Sequence, residues 1–102
     1  MLDVEAALAV GGARIGLLPE AAAASIAAQC RNELYDVAAI ARGVATDATP
    51  VVELVRQLRA LVAPEVQAHV HLVATSQDIV DSATMLVARR ALDAALGDAR
   101  AV

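Results

Sequence analysis

The chain has 102 residues, of which 59% are apolar, with a net charge of −4, no lysine and a single aromatic side chain, Tyr35. That length holds one small domain with one core. The eight arginines are scattered from Arg14 to Arg100 without forming a basic stripe, which argues against nucleic acid as a partner, and no uncharged apolar run approaches the ~20 residues that would point to a membrane crossing.

A core almost without rings has to be assembled from Ala, Val, Leu and Ile, and alanine-rich segments favour helices over strands. The expected fold is therefore all-α: a small helical domain of about five to six helices with one long C-terminal helix. The first helix runs from Leu2 to about Ile15, with Val4, Leu8 and Ile15 at near-helical spacing, and stops around Gly16 and Pro19. It opens without a capping residue ahead of the periodic pattern, as a segment cut from a longer chain would. Its start, Met1-Leu2-Asp3-Val4-Glu5, is acidic where a signal peptide is basic, so the cytoplasm is the expected location. Gly11-Gly12-Ala13-Arg14-Ile15-Gly16 resembles a phosphate loop only in its glycines; without a following Lys-Ser/Thr it reads as close helix packing or a helix break.

Pro19 suits the first turn of a second helix reaching about Cys30. Cys30 is the single cysteine, without a basic cluster or Cys/His partners nearby, and reads as a buried small hydrophobe. Asn32 starts a third helix, roughly Glu33 to Val44. Thr49 as N-cap and Pro50 at the first helical position open a fourth, to about Val62. Its Val51, Leu54, Val55, Leu58 and Leu61 form an apolar stripe, with Arg56 and Arg59 pointing away. Pro64 begins a short helical turn that gives way around His69. The last helix has Thr75 as cap and Asp78 returning the bond; it should reach about Leu96, with Gly97 as the C′ residue. Ile79, Ala83, Leu86 and Arg90 share one stripe and Val80, Val87 and Ala91 the next, an arc wide enough for more than one neighbouring helix. There is no internal repeat, low-complexity linker or second domain. Apolar faces this poor in aromatics predict self-association.

Chemistry concentrates in His71 to Asp78. A helix N-terminus carries unpaired N–H donors and the positive end of the dipole, and Thr75 and Ser76 add hydroxyl donors four and five residues beyond an imidazole that can supply a further proton or positive charge. Together they can cradle a carboxylate. The plainer alternative stands beside it: Thr-Ser-x-Asp at a helix start is common simply as a cap, and a lone histidine in a loop is often a satisfied one. His69 and His71 alternate, but without carboxylate or cysteine partners at suitable spacing they make no metal site, and no cofactor is implied.

The string His71-Leu72-Val73-Ala74-Thr75-Ser76-Gln77-Asp78-Ile79-Val80-Asp81-Ser82-Ala83 resembles the H-x-G-x-T-S-Q-D-x-x-D-T-A signature of the fumarase/aspartase superfamily, and within it is most similar to the 3-carboxy-cis,cis-muconate cycloisomerases and next to the adenylosuccinate lyases. Leu2-Asp3-Val4-Glu5-Ala6-Ala7-Leu8-Ala9 with Gly16-Leu17-Leu18-Pro19 is similar to the family's early L-x-V-E-x-A-L-A and G-L-I-P, and Thr49-Pro50-Val51-Val52-Glu53-Leu54-Val55 to its N-P-V-V-x-L-V. The resemblance thus covers nearly the whole chain. It implies a helical homotetramer whose active sites draw segments from three subunits. His71, Thr75, Ser76 and Gln77 would line the first of these and hold a substrate carboxylate, His71 also serving as a proton donor or charge stabiliser, while Asp78 would fix the helix cap.

Val73 stands where the signature has glycine, and the chain contains neither the T-H-x-Q segment nor the G-S-S-x-M-P-x-K-x-N-P loop that supplies the family's serine base. The resemblance therefore implies a fragment or truncated member spanning residues 1–102. It would contribute a di- or tricarboxylate-binding segment of a cycloisomerase or lyase and be inactive alone. The alternative is a non-enzymatic helical oligomerisation or interaction module derived from that family.

Overall fold

The computed structural model describes residues 1–101, and among them every regular element is helical. Helix α1, Leu2–Arg14, has Asp3 and Glu5 in its first turn and Arg14 in its last, each at the end of the helix dipole that favours its charge. It closes in a Schellman motif: Gly16 takes the left-handed conformation at φ 79° and donates to the Ala13 carbonyl at 3.0 Å, and Leu17 N–H donates to the Gly12 carbonyl at 2.9 Å. A glycine is needed there for its positive φ. Gly12 serves a different end, since a β-carbon on it would stand 2.5 Å from Leu18 Cδ2. The glycine cluster is thus close packing followed by a helix stop.

Pro19 is extended, at ψ 142°, and sits just ahead of α2, Glu20–Gln29, one place before its expected position. Helix α2 packs along α1, burying Ala22, Ala23 and Ile26 in one cluster with Ala9 and Leu18. The third helix departs from expectation. Asn32–Leu34 forms only a 3-10 turn, and α3 spans Val37–Asp47. Asp36 is the reason: its Oδ1 accepts from Ala39 N–H at 2.9 Å, and its own N–H donates to Gln57 Oε1 at 2.9 Å, so the helix starts where a side chain and a neighbouring helix hold it.

Helix α4, Val51–Leu61, has Pro50 and not Thr49 in the capping place, one position later than expected for the cap; the Thr49 hydroxyl still accepts from Val51 N–H at 3.3 Å, so the Thr-Pro pair opens the helix with its register shifted by one residue. Val51, Leu54, Val55 and Leu58 of its stripe are buried, whereas Leu61 is exposed. Val51, Val55 and Leu58 make the centre of the core with Ile26, Val70 and Ile79, while Leu54 packs with Leu2 and Ile40 in a second cluster. After a 3-10 turn at Gln67–His69 the chain enters α5, Ser76–Ala101. Gly97 does not end it. With no proline beyond and Asp98-Ala99-Arg100-Ala101 able to stay helical, the glycine is carried inside the helix at a cost of about 1 kcal/mol relative to alanine.

The near end of α5 packs on α1 and α4. Ile79 is buried, and Arg90 Nη2 lies 2.6 Å from Asp3 Oδ2. Every described residue from Thr84 onward is exposed, including Met85, Val87, Leu92 and Leu96, so only the first turns of the apolar arc meet neighbours. Among the described residues no helix is long and apolar enough to cross a membrane.

Candidate functional site

The segment between the 3-10 turn and α5 is anchored at Val70, which is buried, and whose carbonyl accepts from Arg59 Nη2 at 3.4 Å. His71 and Val73 follow with φ of 60° and 56°, the left-handed region that side chains with a β-carbon rarely adopt. The turn this makes directs the His71 ring back onto α1, where Nδ1 lies 2.7 Å from Glu5 Oε1. Glu5 is 1% exposed and its other oxygen, Oε2, has no hydrogen-bond partner among the described residues; the His71 side chain is 15% exposed. Glu5 is a functional candidate that the sequence alone does not single out, since it stands there as part of an acidic start and of a motif and with no assigned role. The signal was present: Leu2, Glu5, Ala9 and Gly12 form the buried stripe of α1, so a carboxylate stands at a core position of an apolar face.

In front of the ring lies a cavity of about 400 Å³, lined chiefly by apolar atoms of Leu8, Gly12, Leu18 and Val73 together with His69 and His71. Such a volume suits a small organic molecule. Val73 is 76% exposed, so it borders this space without filling it.

Thr75, Ser76 and Gln77 do not line that cavity. Thr75 is exposed and Ser76 half-buried at the first turn of α5, and Gln77 Nε2 donates to Asp81 Oδ1 at 2.7 Å. Asp78 Oδ2 accepts from Thr75 N–H at 2.8 Å, which is the returning half of the capping box. Among the described residues no hydrogen bond joins His71 to Thr75, Ser76 or Gln77, so the imidazole and the helix start are neighbours in sequence with separate partners. His69 borders the cavity, and among the described residues no three of His, Cys, Asp or Glu gather as metal ligands.

Two further groups near Glu5 feel its environment. Burial, followed by the charges of Glu5 and Asp3, pushes the Cys30 thiol up to about 11; the side chain is half-buried and its Sγ donates to the Ile26 carbonyl at 3.4 Å. Burial pushes the Tyr35 hydroxyl up to about 12, with Cys30 and Glu5 adding to it, and the hydroxyl donates to the Gln29 carbonyl at 3.0 Å. An imidazole committed through Nδ1 to a buried carboxylate keeps Nε2 for one more partner, as donor when the ring is charged and as acceptor when it is neutral.

The chain is 47% identical over 96 residues to 3-carboxy-cis,cis-muconate cycloisomerase of Pseudomonas putida, 50% over 95 residues to that of Pseudomonas aeruginosa and 49% over 94 residues to nitrosuccinate lyase of Streptomyces davaonensis. These matches cover 91%, 90% and 89% of this chain but only 23%, 21% and 20% of the relatives, so the chain spans between a fifth and a quarter of their length. The crystal structure of fumarate lyase from Mesorhizobium sp. BNC1 matches with a TM-score of 0.83 and 36% identity, over 90% of this chain and 22% of that one. No family model matches.

Proposed function

Because the chain belongs to the fumarase/aspartase superfamily by sequence and by fold, we propose that it is the N-terminal part of a cytoplasmic 3-carboxy-cis,cis-muconate cycloisomerase-like or lyase protein that helps hold a carboxylate of a di- or tricarboxylate substrate. The observation that carries this reading is identity near one half, over nine-tenths of the chain, with a cycloisomerase and a lyase. The site lends support: His71 is gripped from behind by Glu5 and opens in front onto a cavity of small-molecule size. In this proposal His71 contacts the substrate from the cavity, Thr75, Ser76 and Gln77, which lie outside the cavity lining, contact it from the start of α5, and Asp78 keeps that helix start in shape. A fixed imidazole and free helix N–H groups stabilise negative charge without reorganising, which is how such a segment would assist a carbanion-like step. The catalytic base would come from outside residues 1–102.

Titration of the chain with fumarate and with 3-carboxy-cis,cis-muconate, followed by NMR of the His71 ring, tests the proposal. Saturable ring shifts that vanish in His71→Ala are expected, and no response to either acid would refute carboxylate binding. The purified chain should show no turnover of 3-carboxy-cis,cis-muconate; His71-dependent turnover would refute the assignment of the base to another segment.

A second reading, self-association as a helical module, draws on the exposed Met85, Val87, Leu92 and Leu96 of α5. Light scattering over a range of concentrations is its test, and a monomer throughout would dispose of it.

A further inference from the structure

A buried carboxylate with an orphaned oxygen is an expensive thing to keep in a small alanine-rich core. Replacing buried ionic groups with apolar ones of similar volume is often neutral or stabilising, so retaining one asks for a reason beyond packing. Glu5 occupies a position on α1 that Leu2 and Ala9, on the same stripe, fill with apolar side chains. Its one side-chain partner among the described residues is His71, 66 residues away, at 2.7 Å, a separation in the range of charge-assisted hydrogen bonds. The backbone at His71 is held at φ 60° to bring the ring there, a conformation that persists only where surrounding structure enforces it. Glu5 is absent from the cavity lining while His71 is part of it, so the carboxylate sits behind the ring and the open space in front.

We propose that Glu5 is the positioning residue for His71. By accepting a hydrogen bond from Nδ1–H it fixes the orientation of the ring and its Nδ1–H form, and leaves Nε2 as the end free for a carboxylate-bearing ligand. A neutral imidazole without a partner favours the proton on Nε2, so the Nδ1–H form is one that the protein has to impose. When the ring takes a second proton from solvent, at Nε2, the cation is flanked by Glu5 on one side and can donate to an anionic ligand on the other. The protein thereby keeps one donor direction buried and constant while the other responds to what enters the cavity. Orienting the imidazole follows from the geometry alone; its use on a substrate carboxylate rests on the function proposed above.

Long-range ¹H–¹⁵N correlation NMR of the full chain at mildly alkaline pH reads the two ring nitrogens of His71 directly, with His69 as internal control. In the unaltered chain Nδ1 should carry the proton and Nε2 should not; the reverse pattern would overturn the proposal without any variant. Glu5→Gln, whose amide oxygen can still accept, should retain the Nδ1–H form at least in part. Glu5→Leu should remain folded by circular dichroism and move His71 to the Nε2–H form while His69 stays unchanged. A folded Glu5→Leu chain with unaltered His71 nitrogen shifts would show that Glu5 is merely structural.

In a fumarate titration, Glu5→Leu should weaken binding on the order of tenfold, the scale seen when a partner orienting a ligating imidazole is removed. Equal affinity in the two chains would overturn the link between ring orientation and ligand. An unaltered chain that ignores fumarate refutes the proposed function instead, and the nitrogen shifts still decide the role of Glu5.

Discussion

Val73→Gly should stabilise the chain, although it removes an apolar side chain. Val73 is held at φ 56°, where its β-carbon and branched methyls crowd the backbone; a non-glycine residue there costs about 1–2 kcal/mol, with branched residues among the least tolerated. The side chain is 76% exposed, so its removal gives up little burial. Glycine brings an opposing cost, about 0.4–1 kcal/mol, because it loosens the unfolded chain. The two ranges leave a gain of about 0–1.6 kcal/mol, centred at about 0.8 kcal/mol, and for a domain of this size the central value raises the melting temperature by roughly 3–6 °C.

Thermal unfolding by circular dichroism measures it, with two controls. Val73→Ala keeps a β-carbon and should recover less than glycine does. Val52→Gly, at an exposed site inside α4, should lose a few tenths of a kcal/mol because helical φ gains nothing from glycine. A Val73→Gly chain that melts at or below the temperature of the unaltered one would refute the claim that this loop is strained. The superfamily signature's glycine would then need another explanation.

Ala48 ends α3 at φ 58°, with its N–H on the Val44 carbonyl at 2.9 Å, so Ala48→Gly should also stabilise, by about 0.5–1 kcal/mol, read as a higher urea midpoint at constant slope. Leu58→Ala, at a position with no exposed surface, should cost about 2–5 kcal/mol in the same assay. Arg56 first, then Gln57, hold the Glu53 carboxyl well below its usual value of 4.5, at about 2, by donating to its oxygens. Its lowered folded-state value means that Glu53 stabilises fully above pH 4.5 and loses that contribution as pH falls towards 2. Acid titration should therefore cost the unaltered chain more stability over that interval than it costs Glu53→Gln. With its thiol pushed up from 9.0 to about 11, Cys30 should hold on the order of a hundredfold less thiolate at neutral pH than a free cysteine and alkylate more slowly, by less than that factor where the greater nucleophilicity of the thiolate offsets its scarcity. Labelling at the free-thiol rate would show that the α2 C-terminus opens readily.

What the sequence made legible was whatever local chemistry decides. Gly16 stops α1 because positive φ is needed there, Thr49 and Pro50 open α4, and Asp78 caps α5 through Thr75 N–H. The misreadings fall where partners are distant. Asn32 and Asp36 are both competent caps, and the choice went to Asp36 because Gln57, on another helix, holds its backbone. Gly97 carries a stop signal that acts only if the chain turns away, and here it does not. The carboxylate cradle was read from residues adjacent in sequence, whereas the ring at its centre is committed to Glu5, which no spacing argument within residues 71–78 could reach.

Two local rules are broken in the same small region: a carboxylate occupies a core position on α1, and two β-carbon-bearing residues take left-handed backbone in the loop that meets it. Sequences generally satisfy propensity, packing and polar pairing together, and exceptions concentrate where function outweighs stability. The exceptions here are mechanically linked, since the turn at His71 brings the ring to Glu5, and Glu5 is the only partner the ring has among the described residues. Val73, two residues on, is strained but faces solvent and takes no part in that bond. Relieving Val73 should therefore add stability without disturbing the imidazole, whereas replacing Glu5 should disturb the imidazole whether or not it adds stability. A Val73→Gly chain whose His71 nitrogens change form would show the loop, and not the carboxylate, to be what aims the ring.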